Sequence, residues 1–261
     1  LARRNRSTED RPTECTMDAV TSDCNFDILG GRQRISSGEL MRFLHVAECD
    51  TVVLGGTLVE GIGNEMSDLD INVLAKERPR FGSVRASKHA FCHTREMDMC
   101  SSPEEEVFMT MDYYPNTDIH IDIEYWLFSE IVNIIERVDI GYRSTLKHCD
   151  VNYIEGDISR KEHLLLHRLM QGRVIYGESD IVPTKIHELR DKLAYYMYRK
   201  NMSHYWFFKD IVGALRASDI EMACEQAREY LIMIVCGANH AAGCTNPARK
   251  WWITYLKSNP Y

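Results

Sequence analysis

Two aspartates separated by a single residue are the most informative chemical feature of this sequence. Asp68 precedes the apolar run Leu69–Leu74, and Asp70 lies within it. Such a run is typical of a strand. Because alternate residues of a strand point to the same face, the two carboxylates are expected to lie side by side. Adjacent carboxylates repel one another unless a cation lies between them, so the pair indicates a bound divalent metal ion.

A loop of small residues precedes this pair. Gly55, Gly56 and Thr57 follow the short apolar run Thr51–Leu54, which is expected to be a buried strand. Glycines let backbone N–H groups approach an anion closely, and the threonine adds a hydroxyl, as in phosphate-binding loops. A phosphate-binding loop beside a carboxylate pair that suits Mg²⁺ favours a nucleoside triphosphate as the ligand.

The elements that must position these residues fall into two halves. A capping-box pattern at Ser36–Glu39 indicates an early helix, and the apolar runs Val107–Tyr113 and Asp118–Trp126 are expected to be further strands. In the last of these runs, isoleucines alternate with Asp122 and Glu124. After residue 128 the apolar residues recur at helical spacing. This spacing predicts helices over roughly 129–138, 160–171, 184–199, 204–217 and 219–238.

Charge and composition argue against several classes of partner. The formal net charge is −8, and residues 96–136 contain eleven acids and no lysine or arginine, the opposite of a nucleic-acid-binding surface. No apolar run approaches the ~18 residues of a membrane span. The nine cysteines lack the spacing of a disulfide framework, which favours reduced thiols and a cytoplasmic location. The sequence therefore predicts neither a nucleic-acid partner nor a membrane association.

The motif residues resemble the signature of the DNA polymerase beta-like nucleotidyltransferase superfamily. GTLVEG at 56–61 and SDLD at 67–70 match its glycine-rich turn and its Asp-x-Asp strand. A third carboxylate on a later strand completes that signature. Asp122, between two isoleucines, is the preferred third carboxylate, and Glu124 on the same strand face is the alternative. An α/β half followed by helices is most similar to the small bacterial members, which include enzymes that modify aminoglycoside and lincosamide antibiotics.

The resemblance implies a fold and a division of the chain. It implies an α/β (α+β) nucleotidyltransferase domain with a short mixed sheet over residues 17–145. A mostly helical domain that binds substrate or nucleotide would follow over residues 146–261, with the boundary near 140–158. Residues 1–16, charged and without an apolar run, are expected to be a disordered leader. Relatives that build a site between two chains also make a homodimer an expectation.

The resemblance also implies a reaction. It implies Mg²⁺-dependent transfer of a nucleoside monophosphate, with AMP as the default, from a nucleoside triphosphate to a hydroxyl group, with release of pyrophosphate. The acceptor would be a small molecule such as an antibiotic or a biosynthetic intermediate. Two Mg²⁺ ions, or Mn²⁺ in their place, would be held by Asp68, Asp70 and Asp122.

The resemblance further implies which residues contact the nucleotide. Gly55, Gly56, Thr57 and Ser67 would contact the triphosphate; Thr57 stands where serine is commonest, and it keeps the hydroxyl. Glu60 departs from the family, because many members have a basic residue there. A cationic contact to the triphosphate is therefore expected from the helical half. The preferred residues are Lys209 and Lys250, chosen from a set that also includes Lys161 and Arg168.

Three other functions stay open at the level of sequence. The acceptor could be a tyrosine, serine or threonine of a protein partner, as in toxin–antitoxin versions of this fold. RNA tailing is disfavoured by the acidic stretch over residues 96–136. A non-catalytic nucleotide-binding module is the alternative of a different class, although degenerate members usually lose the acids that this chain retains.

Overall fold

The computed structural model describes residues 25–44, 46–77, 109–148, 154–177, 181–202, 204 and 206–258. Its strands are β1 (Asn25–Ile28), β2 (Gln33–Ser36), β3 (Thr51–Gly55), β4 (Leu69–Ala75), β5 (Met109–Tyr113), β6 (His120–Leu127) and β7 (Arg173–Tyr176). Its α-helices are α1 (Ser37–Met41), α2 (Phe128–Lys147), α3 (Arg160–Gln171), α4 (Arg190–Met202), α5 (Trp206–Arg216), α6 (Ile220–Ala241) and α7 (Trp252–Ser258). The predicted leader, residues 1–16, lies outside these ranges.

A five-stranded sheet organises the first half of the chain. Its strand order is β5-β6-β4-β3-β7, and β4 pairs with β6 in parallel while the other neighbours are antiparallel. Every residue of β3 and β4 is buried, so these two strands form the centre of the sheet. Continuous burial explains why their sequences are apolar runs rather than alternating ones.

The sheet separates two hydrophobic clusters. On one face, alternate residues such as Val52, Leu54 and Ile71 pack with the β1–β2 hairpin and α1. On the other face, Val53 and Leu74 pack with α2, α3 and α4. The alternation follows from the period of two of a strand, which sends successive side chains to opposite faces. The sheet is therefore covered on both sides, and its functional groups must lie at its ends.

The mixed α/β character expected from the sequence is confirmed, and the differences lie mainly at element ends. The early helix is a short α1, although Ser36 caps it by accepting a hydrogen bond from the backbone N–H of Glu39. The helix expected over 129–138 continues to Lys147 in α2. The helix expected over 184–199 is preceded by a π-helical turn at Ile181–Ile186 and begins at Arg190.

Two parts of the sheet architecture were not predicted. One is the antiparallel hairpin of β1 and β2, in which Asn25 pairs with Ser36 and Ile28 pairs with Gln33. β7 lies after residue 145, in the part of the chain assigned to the helical domain, and it pairs with β3. β1, β2 and β7 have only four residues each, too few for a clear alternation pattern.

The second half of the chain is a set of packed helices. Asp219 caps α6 by accepting a hydrogen bond from the backbone N–H of Met222. α6 packs against α4, α5 and α7. None of the helices in the described part of the chain is both long and apolar enough to cross a membrane.

Candidate functional site

Asp70 and Asp122 are direct neighbours on the two parallel strands at the centre of the sheet. The register of β4 and β6 pairs Asp70 with Asp122, and the next pair on the same face is Asn72 with Glu124. The parallel register therefore brings together two carboxylates that are 52 positions apart in the sequence. Asp68 is exposed and lies one residue before β4 begins, and β4 starts at Leu69 as the predicted strand Leu69–Leu74 does.

A cavity of about 320 Å³ opens at this end of the sheet. Most of the residues expected to act on a nucleotide line it: Gly56, Thr57, Ser67, Asp68, Asp70, Asp122 and Lys250. Other residues from the second half of the chain line it as well, among them Arg168, Asn246 and Trp251. Lys209 lies on α5 and is not one of the lining residues. The cavity therefore combines the turn after β3, the carboxylates of β4 and β6, and the segment before α7.

The two glycines at the end of β3 allow a close approach of other groups. A Cβ atom at Gly56 would lie 1.9 Å from Oδ2 of Asp70, and the backbone φ of Gly56 is +83°. A Cβ atom at Gly55 would lie 3.2 Å from both Cβ and the carbonyl oxygen of Arg168. Gly56 thus leaves room for the Asp70 carboxylate, and Gly55 leaves room for α3, so neither position tolerates a larger side chain easily.

Arg168 is the cation closest to the carboxylates. Its guanidinium lies 2.5 Å from Oδ1 of Asp70 and 3.2 Å from Oε1 of Glu124, and all three side chains are largely buried. Glu124 also accepts a hydrogen bond from the indole N–H of Trp126, at 3.0 Å. Glu124 is therefore held by two donors beneath the cavity, whereas Asp122 lines the cavity itself.

Burial and mutual repulsion raise the pKa values of the two strand carboxylates. The pKa of Asp70 is raised to about 6, mainly by burial, which the charge of Arg168 partly offsets. The pKa of Asp122 is raised to about 7 by burial and by the negative charges of Asp70 and Asp68. An added positive charge at this point would therefore stabilise the ionised forms of both groups.

The oxygen donors suit a hard divalent cation. Oδ1 of Asp122 is buried and has no hydrogen-bond partner among the described residues, so its lone pairs are available to a ligand. Carboxylate oxygens are the ligands that Mg²⁺ and Mn²⁺ prefer. Within the described ranges, however, no three His, Cys, Asp or Glu side chains already converge on one point as metal ligands do. The residues fit a cation by their chemistry, while Arg168 supplies the positive charge nearest to them.

A buried polar network ties the turn after β3 to the C-terminal segment. Glu60 accepts a hydrogen bond from the hydroxyl of Tyr255. Its other carboxylate oxygen lies 3.0 Å from Nε2 of His167. Nδ1 of His167 lies 2.9 Å from the hydroxyl oxygen of Thr245, and Asn246 donates to the hydroxyl oxygen of Tyr255. The side chains of Glu60 and His167 are 8% and 2% exposed, so the network excludes water and holds one cavity wall against the other.

This network gives the acidic side chain of Glu60 its partners, at a position where the resemblance led us to expect a basic residue. Glu60 contacts His167 and Tyr255, and it also lines the cavity. A basic side chain in its place would lose both partners in a buried position. The positive charges of the cavity come instead from Arg168 and Lys250, both in the second half of the chain.

Lys250 and Trp251 form the wall opposite the turn. The Lys250 ammonium lies 5.4 Å from the centre of the Trp251 ring, and its charge lowers the pKa of Asp70 against the effect of burial. Nε1 of Trp251 is buried and has no hydrogen-bond partner among the described residues. An indole N–H can only donate, so this group lacks an acceptor among the described residues, while Lys250 brings a positive charge to the cavity.

Sequence reasoning missed several members of the site. Arg168 was considered only as one of four cations, although it interrupts the apolar run Leu164–Met170, a position where an arginine needs a buried partner. Nothing in the local sequence pairs Glu60 with His167 and Tyr255, which are 107 and 195 positions away. No protein-family model matches the chain, and no curated protein shows significant similarity to it.

Proposed function

We propose that this protein is a Mg²⁺-dependent nucleotidyltransferase that moves a nucleoside monophosphate from a triphosphate to a hydroxyl of a small molecule. One observation carries the proposal. Asp70 and Asp122 stand side by side on parallel strands, beside the Gly56 turn, and the inner oxygen of Asp122 has no hydrogen-bond partner among the described residues. A carboxylate pair of this kind next to a glycine turn suits a cation-bound phosphate chain.

The chain's own residues have distinct roles in this proposal. Asp68, Asp70 and Asp122 would hold the divalent cations, which supply charge neutralisation at the phosphates and polarise the acceptor hydroxyl. Gly56 and Thr57 would bind phosphate oxygens, and Ser67 at the cavity edge would assist them. Lys250 and the N–H group of Trp251 would bind from the opposite wall. Asp122, whose pKa is raised to about 7, would accept the proton of the acceptor hydroxyl.

Arg168 has a positioning role. Its guanidinium joins Asp70 to Glu124, which fixes the direction of the Asp70 carboxylate and offsets part of the charge that burial makes costly. Gly55 permits this contact, because α3 approaches β3 closely at that glycine. Arg168 therefore links the helical half to the carboxylates without being required to touch the nucleotide.

The direct test is release of pyrophosphate. The protein is incubated with each of the four common nucleoside triphosphates, Mg²⁺ and a panel of hydroxyl-bearing acceptors, aminoglycosides and lincosamides included. The proposal expects acceptor-dependent pyrophosphate release that Asp122→Asn abolishes. The matched control is Asp118→Asn, a carboxylate on the same segment that is not one of the cavity residues. Label that appears on a polypeptide would replace the small-molecule acceptor with a protein, and equal turnover by Asp122→Asn would refute the site.

A further inference from the structure

An exposed apolar stripe runs along α6 on the side that faces away from the protein's own core. Its members are spaced alternately four and three residues apart, which is the heptad repeat of a coiled-coil seam. Ile220 and Leu231 are 57% and 54% exposed, and Ile234 is 36% exposed. The full stripe is Ile220, Cys224, Ala227, Leu231, Ile234, Ala238 and Ala241.

The opposite side of α6 is already occupied. Gly237, Asn239 and His240 are buried there, and Gly237 lies against Met202 at the end of α4. A lone surface helix needs one apolar face for its own core, and α6 has that face in addition to the stripe. The stripe is therefore surplus to the packing of this chain over its described residues, and contiguous apolar surface of this kind marks an interaction site.

We propose that the stripe pairs with the same stripe of a second copy of this chain, with the two α6 helices antiparallel. When two identical helices pack antiparallel, the residue numbers of any two facing positions add up to the same value. A sum of 458 pairs Ile220 with Ala238, Cys224 with Ile234, and Ala227 with Leu231, all across a two-fold axis near position 229. Each of these layers sets one large residue against one small residue, so the stripe is complementary to itself.

A parallel pairing lacks this complementarity. It would place Leu231 on Leu231 and Ala227 on Ala227, which crowds some layers and leaves gaps in others. The antiparallel register also places the two Cys224 side chains far apart, because each faces position 234 of the other copy. Ten residues of helix separate those two positions, which is about 15 Å.

Neighbouring groups widen the interface and do not oppose it electrostatically. Phe207 of α5 stacks on Tyr230 beside the stripe, and Phe208 and Leu215 of α5 are 61% and 51% exposed. The 22 residues of α6 give the two copies a seam about 33 Å long, and α5 widens the apolar surface beside it. The adjoining charges neutralise one another in the chain of ion pairs formed by Glu225, Arg228, Glu229 and Arg249.

The first test is the mass of the full chain in solution by light scattering over a range of micromolar concentrations. The wild type is expected to approach about 60 kDa, twice the 30.2 kDa of one chain. Leu231→Glu is expected to stay at the monomer mass with unchanged helical content. Met222→Glu is the matched control, because Met222 is a half-exposed apolar residue on α6 outside the stripe, and this variant should dimerise as the wild type does. A monomeric wild type, or identical masses for the two variants, would overturn the proposal.

A cross-link tests the register. Ile234→Cys should form a disulfide-linked dimer with Cys224 of the other copy under mild copper–phenanthroline oxidation, because a disulfide needs Cα atoms about 4.4–6.8 Å apart. Ile234→Cys combined with Cys224→Ser should lose that product, which excludes the exposed Cys49 as its source. A dimer linked through Cys224 alone in the wild type would contradict the antiparallel arrangement.

Discussion

Gly56 and Asp70 approach each other so closely that no side chain fits between them. A Cβ atom at Gly56 would lie 1.9 Å from a carboxylate oxygen of Asp70, well inside van der Waals contact. The glycine therefore serves two purposes at once: it permits a positive φ and it keeps the carboxylate at the floor of the cavity. The turn and the carboxylates behave as one structural unit.

Replacement of Gly56 by alanine tests that unit. Gly56→Ala is expected to destabilise the fold by about 1–2 kcal/mol for the positive φ and by more for the displaced Asp70, and to abolish Mg²⁺-dependent nucleotide binding. The control is Gly61→Ala, because Gly61 also has a positive φ of +75° but its Cβ would meet nothing within 4 Å. Calorimetric binding should survive in Gly61→Ala, and its loss in both variants would show that backbone strain alone is responsible.

Removal of Arg168 should be costly for a different reason. Arg168→Met leaves Asp70 and Glu124 without their shared cation in a buried position, which typically costs about 3–5 kcal/mol of unfolding free energy. Arg168→Met combined with Glu124→Gln should recover part of that loss, since one of the stranded charges is removed. Denaturant unfolding of the single and double variants measures both effects. A double variant no more stable than Arg168→Met would argue against the pairing.

The raised pKa of Asp122 predicts a pH dependence of stability in the presence of EDTA. The pKa is about 7 in the folded state against 3.8 for an isolated aspartate, so the folded state binds more protons between those values. The wild type should therefore lose stability as the pH rises from about 4 to about 7, and Asp122→Asn should lose less, because only the raised pKa of Asp70 then contributes. After an allowance for solvent screening, the advantage of Asp122→Asn should reach about 1–2 kcal/mol above pH 7.

Excess Mg²⁺ should reverse the order of stability of the wild type and Asp122→Asn. Metal bound to the folded state stabilises it by mass action, and the wild type should gain more than Asp122→Asn, which has lost a ligand. Thermal unfolding at pH 5 and pH 8, with EDTA or with Mg²⁺, compares the stability of the two proteins under all four conditions. An Asp122→Asn variant that gains as much from Mg²⁺ as the wild type would place the metal elsewhere.

Of the two lysines expected to contact the triphosphate, Lys250 lines the cavity and Lys209 does not. Lys250→Met should weaken nucleoside triphosphate binding by about 10- to 100-fold, because a charged hydrogen bond to phosphate is worth about 1.5–3 kcal/mol. Lys209→Met should bind as the wild type does, since Lys209 does not line the cavity. Titration calorimetry with Mg²⁺ and the preferred triphosphate measures both. Equal losses in the two variants would remove Lys250 from the proposed contact.

The Glu60 network predicts an indirect effect on the same wall. Tyr255→Phe removes the hydroxyl that donates to Glu60 and accepts from Asn246, at a cost of about 1–3 kcal/mol. Nucleotide affinity should fall with it, because the segment that carries Lys250 and Trp251 is no longer tied to the turn. Tyr113→Phe, at a half-exposed position away from the cavity, is the control for the loss of a hydroxyl. Unaltered affinity in Tyr255→Phe would limit the network to stability.

The sequence predicted the parts of the site that local patterns can encode. Strands β3 and β4 were predicted because buried strands give continuous apolar runs, and Asp122 because isoleucines flank it. The pairing of Asp70 with Asp122 depends on the parallel register of β4 and β6, and the contact of Arg168 depends on how α3 packs on β3. Such long-range contacts leave no periodic signal in one sequence, so they required the structure.

The most direct test of the account is a thermal-shift titration of the wild type and of Asp68→Asn combined with Asp70→Asn. ATP, GTP, CTP and UTP are each added with and without Mg²⁺, and ligand bound to the native state raises the melting temperature by mass action. The account predicts a shift that requires Mg²⁺, favours one nucleotide and disappears in the double variant. A shift of equal size in the double variant, or no shift with any triphosphate and Mg²⁺, would contradict the assignment of Asp68, Asp70 and Asp122 to a metal–nucleotide site.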